Sequence, residues 1–145
     1  MTTQPVTSPN DAVIAEFRDH SGSVTRAMGG ALAGLDLVLL HLRGRQSGQP
    51  YITPVAAMAY EDGYLLLGSF AGAAAEPQWV KNVESATEVT VETGTRTVAM
   101  TPEVLRAGPE RDRLYQATRE HWPFVLNYEQ KTSRPFPVIR LTPAG

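Results

Sequence analysis

The sequence predicts one α+β domain, a small antiparallel barrel of six strands with three or four helices inserted. Three observations carry this. The chain has 145 residues, 42% of them hydrophobic, which suits one ordinary domain with one core. Strand-length apolar runs are separated by two-residue turn signals, Asp62-Gly63 and Thr93-Gly94. Pro77 and Pro109 each open a segment with helical spacing. Hairpin-joined strands with helices between them define the α+β class.

Residues 1–9 are polar, carry two prolines and read as a disordered arm, leaving 10–145 as the domain. Asn10 caps a first helix, Asp11 suits its positive end, and Val13, Ile14 and Phe17 share its apolar face. Gly22 ends it, and residues 23–34 form an irregular packed segment. Leu35–Arg43 is dense in Leu and Val, as in a strand buried on both faces. Gly44–Pro50 is turn chemistry. Tyr51–Tyr60 is a strand that Pro54 interrupts or confines to an edge. Asp62-Gly63 turns the chain into a return strand, Tyr64–Phe70. After the Ala/Gly-rich residues 71–75, Pro77 starts a helix that reaches Ser85. Glu88–Glu92 and Thr95–Met100 pair across Thr93-Gly94. Glu110–His121 is helical, with Leu114, Thr118 and His121 stacked. Pro123 interrupts it, Val125–Gln130 adds a helical turn, and Pro137–Leu141 is the last strand.

Composition removes several function classes. A net charge of −2 argues against a non-specific nucleic-acid binder, which carries a basic excess. Without cysteine there is no disulfide, zinc thiolate site, iron–sulfur cluster or thiol nucleophile. His20, His41 and His121 are far apart and lack metal-ligand spacing, so no metal site is expected. Gly68-Ser69-Phe70-Ala71-Gly72 is not a hydrolase elbow. The Gly29–Gly34 cluster lacks the Lys-Ser/Thr of a phosphate loop. No apolar run approaches the ~20 residues that span a bilayer, and no secretory signal is visible. The expected location is cytoplasmic, with peripheral membrane association left open. An enzyme of this composition borrows its reactive group from a cofactor.

Two segments suit such a group. Arg43-Gly44-Arg45-Gln46-Ser47-Gly48 sets two guanidinium forks and a hydroxyl on a glycine-rich turn, suited to phosphate or carboxylate. The alternative is a solvated hairpin. Because it is a turn, charge reversal at Arg45 is expected to leave folding almost untouched. Ser69–Ala75 has little side-chain bulk, so a flat ligand can approach its backbone; the alternative is a flexible connector.

The order of these motifs resembles the deazaflavin (F420)-dependent nitroreductase and quinone reductase family, common in actinobacteria. The resemblance rests on Leu39-Leu40-His41 leading into Gly44–Gly48, on Thr53-Pro54-Val55, and on Asp62-Gly63-Tyr64. It continues through Gly68-Ser69 with Gly72, Pro77-Gln78-Trp79 with Asn82-Val83, and Glu110-Arg111. Tyr128, Thr132 with Arg134, and Pro137-Val138 with Leu141 complete it, so that it spans residues 13–143.

The resemblance implies a split β-barrel of six or seven strands that binds coenzyme F420 in a groove. It implies that Arg45, Gln46, Ser47 and Gly48, with Arg43, hold the phosphate and tail. Pro54, Val55, Leu67, Ser69, Phe70, Ala71 and Gly72 would frame the ring, and Pro77, Trp79 and Lys81 would close the tail side. Trp122 would wall the acceptor face, where Tyr128 would orient the acceptor or donate a proton. Where the family commonly carries cations, this chain has Gln46, Tyr51 and Phe70; Arg43 and Lys81 stand in for them. The implied activity is hydride transfer from reduced F420 to a quinone, nitroaromatic compound or other electron-poor acceptor, by a monomer or homodimer. The alternatives are a non-catalytic coenzyme- or lipid-binding protein and an FMN-binding split barrel.

Overall fold

The computed structural model describes residues 9–144 apart from 31, 70 and 71. Most of the expected N-terminal arm, and Phe70 and Ala71 of the ring-framing set, therefore lie outside the described residues. Pro9 belongs to the first helix rather than to the arm. In chain order the elements are α1 (Pro9–Asp19), β1 (Leu37–Arg43), β2 (Pro50–Ala56), β3 (Met58–Tyr60), β4 (Gly63–Leu67), α2 (Gln78–Glu84), β5 (Val89–Glu92), β6 (Thr97–Leu105), α3 (Pro109–His121), α4 (Val125–Glu129) and β7 (Val138–Pro143). A short 3-10 turn, Ala27–Gly30, follows α1.

The seven strands form one antiparallel sheet in the order β2-β1-β5-β6-β7-β4-β3. Its two edge strands are consecutive in sequence, joined only through Ala57. Opposite edges one residue apart force the sheet to curl into a half-barrel. Ala57 is 1% exposed, and its N–H donates to the carbonyl of Asp36 at 2.9 Å. That bond leads the chain out of β2, so the break in 51–60 falls at Ala57 and not at Pro54. Pro54 stays in register opposite Leu39, on the edge strand where a missing N–H is tolerated.

Both faces of the central strands are dry, which explains their unbroken apolar runs. In β1, Val38, Leu40 and Leu42 point into the barrel with Leu66, Val89, Val91, Ile139 and Leu141. Leu37 and Leu39 face outward against Val13 and Phe17 of α1. In β4, Leu66 lies inside, while Leu65 and Leu67 pack beneath Leu114, Trp122 and Val125. Each such side chain contributes about 1.5–3 kcal/mol by burial.

Several boundaries differ from the sequence reading, two of them with a clear cause. The β3–β4 turn is centred on Glu61-Asp62, since Tyr60 pairs with Gly63 and Glu61 adopts φ 53°. Gly63 serves space: a Cβ there would lie 1.8 Å from the carbonyl oxygen of Leu141. β6 runs on through Pro102 to Leu105. Beyond Met100 its pairing with β5 has ended, and β7 alone continues the ladder, so a proline fits on the free flank.

Candidate functional site

A cavity of about 330 Å³ opens between β2, the end of β4, the start of α2 and the α3–α4 corner. It gathers eight of the residues singled out in the sequence: Pro54, Val55, Leu67, Ser69, Pro77, Trp79, Trp122 and Tyr128. Leu32, Leu35, Ala56, Phe124 and Val125 complete the lining. Leu32 comes from the irregular segment before β1, where no periodic pattern marked it; Leu35, read in the sequence as the first residue of the strand, lies two residues before β1. The wall is largely aromatic: Trp122 stacks with Phe124 at 6.5 Å between ring centroids, and Phe124 tilts onto Tyr128 at 5.4 Å. Trp122 is mostly buried in the cluster beneath α3, so it supplies the floor more than a freestanding wall. Tyr128 is half-buried on α4.

Arg43, Arg45 and Gly48 line a different cleft, of about 540 Å³, together with His41 and Asn82. α2 joins the two regions. The Nη2 of Arg45 donates to Oε1 of Gln78 at 2.8 Å, and Gln78 stands between Pro77 and Trp79 of the apolar cavity. Its Nη1 and its backbone N–H both donate to Oδ1 of Asn82 at 3.0 Å. These partners are neutral amides. The carboxylates at the two ends of α2 are held by another arginine: Arg106 bonds Glu76 at 2.8 and 3.0 Å and Glu84 at 2.8 and 2.9 Å. Those bonds hold both carboxyls below their usual range against the opposing effect of burial. Among the described residues Arg45 is in no ion pair, and Glu88 is the carboxylate that lines its cleft.

The remaining candidates have separate places. Arg43 donates to the carbonyl of Gly48 at 3.1 Å, and the hydroxyl of Ser47 accepts from the Gln49 N–H at 3.2 Å, so both brace the turn. Gln46 and Lys81 are exposed and line neither cavity. Gly72 lies against the backbone of α4, at φ 81°. Two larger clefts, of about 580 and 650 Å³, bring together none of the candidate residues. Sequence reasoning missed Asn82 as the anchor of Arg45. It also passed over the function of Arg134, whose guanidinium bonds the backbone beside Ser69; both residues were visible only as family motif positions.

The donor set fits a flat ring carrying an anionic tail. An aromatic cavity at the small end of the ligand-pocket range takes a ring and little more. The tail then has a guanidinium with neutral partners one helical turn away.

A curled seven-stranded antiparallel half-barrel with helices packed on it is a split-barrel fold. The chain belongs to the F420H(2)-dependent quinone reductase family, whose model matches residues 15–143. It is 30% identical over 130 residues to an F420H(2)-dependent quinone reductase of Mycobacterium tuberculosis, covering 88% of this chain and 85% of the relative. A solved F420-H2 dependent reductase superposes with a TM-score of 0.63 at 27% identity, over 72% of this chain and 92% of that one. A domain-swapped dimer superposes with a TM-score of 0.65 at 27% identity, over 92% and 99%.

Proposed function

We propose that this protein binds coenzyme F420 in the cavity between β2, α2 and α4 and reduces a quinone there. The observation that carries the reading is the convergence of Pro54, Val55, Ser69, Trp79 and Tyr128 on one apolar cavity beside Arg45. When bound, reduced F420 supplies a hydride. The quinone gains that hydride and one proton to become a hydroquinone.

The chain's own residues bind, orient and shield. Arg45, held by Asn82 and Gln78, offers charge-assisted bonds to the anionic tail. Pro54, Val55 and Trp79 sandwich a flat ring. Trp122, Phe124 and Tyr128 exclude water from the acceptor side, which protects the transfer from side reactions. Holding the coenzyme and the acceptor in one cavity would replace a bimolecular encounter with a positioned one. The Tyr128 hydroxyl orients the acceptor or gives it the proton. A nitroaromatic compound meets the same demands of flatness and electron deficiency and is the second acceptor class.

Among the described residues no helix is long and apolar enough to cross a membrane. We infer a monomer or a homodimer, which light scattering distinguishes, and propose a cytoplasmic location, with peripheral membrane association as the alternative, which cell fractionation tests. The test of function is a fluorescence titration with F420, in parallel with FMN, followed by oxidation of the reduced coenzyme with menadione. Saturable F420 binding with menadione-dependent oxidation supports the reading. Binding without turnover supports the storage alternative, and FMN binding alone overturns the coenzyme assignment.

A further inference from the structure

Arg134 lies between α4 and β7, and its bonds are unusual for a guanidinium. Nη1 donates to the carbonyl of Gly68 at 3.1 Å, and Nη2 to those of Ser69 at 2.8 Å and Ala73 at 3.0 Å. Nε donates to Ala73 at 3.1 Å. Among the described residues none of its hydrogen bonds goes to a carboxylate. Its Cζ lies over the ring of Phe136, 5.0 Å from the ring centre. One side chain therefore clamps both flanks of the connection between β4 and α2.

The same connection touches α4. A Cβ on Gly72 would lie 2.7 Å from the carbonyl oxygen of Tyr128 and 3.0 Å from its Cα. Ser69 and Tyr128 both line the apolar cavity. α4 is held on its other side, where Glu129 accepts from the Tyr115 hydroxyl and pairs with Arg119 at 3.1 Å. The backbone at Ser69 and the Tyr128 helix are thus in contact at Gly72 and joined through the segment that carries Arg134.

We propose that Arg134 is a positioning residue that couples the coenzyme side of the cavity, at Ser69, to the acceptor side, at Tyr128. This rests on the functional reading above. Ordering Gly68, Ser69 and Ala73 through the guanidinium orders α4 as well, so occupancy of either side favours binding at the other. By linkage the effect is reciprocal.

The test uses Arg134→Met, which keeps a long side chain over Phe136 and removes every donor. Amide hydrogen exchange is measured on the ligand-free protein at Gly68, Ser69 and Gly72, and at Asn127–Gln130. Exchange is expected to accelerate in both groups together, at least tenfold. F420 affinity, by fluorescence, is expected to weaken at least tenfold, and the KM for menadione to rise by more than kcat falls. Arg134→Lys retains the charge and part of the bonding, so it gives the same paired pattern at smaller size and serves if the Met variant does not fold. Acceleration confined to Gly68–Gly72, with Asn127–Gln130 unchanged, overturns the coupling. So does a weakened F420 affinity with an unchanged KM. If the wild-type protein binds no F420, the functional reading falls, while the exchange arm still decides whether Arg134 joins the two sides.

Discussion

Arg45 and Asn82 meet at one oxygen: the backbone N–H and the Nη1 of Arg45 both donate to Oδ1 of Asn82 at 3.0 Å. Asn82 is 6% exposed, and its amide nitrogen donates to the hydroxyl of Tyr51 at 2.6 Å. A buried amide on α2 thus locks the β1–β2 turn, its arginine and a strand tyrosine into one geometry. Folding is therefore linked to this turn, contrary to the independence expected from its sequence.

Asn82→Ala strands the Arg45 N–H and the Tyr51 hydroxyl together, and is expected to cost about 1–3 kcal/mol of stability. F420 affinity should fall as well, since Arg45 loses its anchor. Arg45→Glu keeps the backbone bond to Asn82, so its melting temperature should fall less than that of Asn82→Ala. Its F420 affinity should fall further, at least ~30-fold, which corresponds to about 2 kcal/mol. Thermal melts and fluorescence titrations of both variants check the order. Equal F420 affinity of Arg45→Glu and wild type removes this turn from the site.

Tyr128→Phe preserves the ring contact with Phe124 and removes only the hydroxyl. F420 affinity should stay within about twofold. Quinone turnover should fall by roughly 10²–10⁴ if the hydroxyl gives the proton, and by less if it only orients the acceptor. Steady-state rates at saturating coenzyme decide; a wild-type rate ends the catalytic role.

Gly63→Ala should be strongly destabilising. The added carbon would sit 1.8 Å from the Leu141 carbonyl oxygen, inside the β4–β7 ladder, where backbone cannot give way cheaply. A loss above ~3 kcal/mol is expected from overpacking with ladder disruption. Urea denaturation measures it, and a loss under 1 kcal/mol would mean that β7 can shift aside.

Glu92 on β5 joins α1 to the sheet. Arg18 donates to it at 2.7 and 3.1 Å, and a ring nitrogen of His41 lies 2.6 Å away. Hydrogen bonding from Arg18, aided by His41, holds this carboxyl below its ordinary value although burial opposes it. A depressed folded pKa favours the ionised form in the fold. The stabilisation is therefore full above the unfolded value of about 4.3 and is lost as pH falls through the lower, folded one. The melting-temperature gap between wild type and Glu92→Gln should shrink as pH falls below about 4. A gap that persists undiminished to pH 3 removes this ion pair as its cause.

What could be read in the sequence follows from where each signal is stored. Leu37 to Leu40 announces a strand with two dry faces because burial acts on each side chain in turn. Pro77 and Pro109 mark helix starts because the constraint is local to one residue. Nothing in Ala56-Ala57-Met58 marks the change of strand, since the cause is a bond from Ala57 to the distant Asp36 carbonyl. Arg45 declares itself as a cation by type, but its partner Asn82 is 37 positions away. Arg134 is marked only by the family resemblance, because its acceptors are main-chain carbonyls, which leave no trace in side-chain pattern.

The position of β7 between β6 and β4 has a consequence for biosynthesis. The β3–β4 hairpin emerges from the ribosome early, yet the strand that fixes it to β6 follows all the others. Until residues 138–143 are translated, Leu65, Leu66 and Leu67 have no ladder partner on that flank. The nascent chain therefore carries an apolar strand unsealed on that flank while residues 68–137 are made, a state prone to aggregation. Closure of the sheet between β4 and β6 waits for β7.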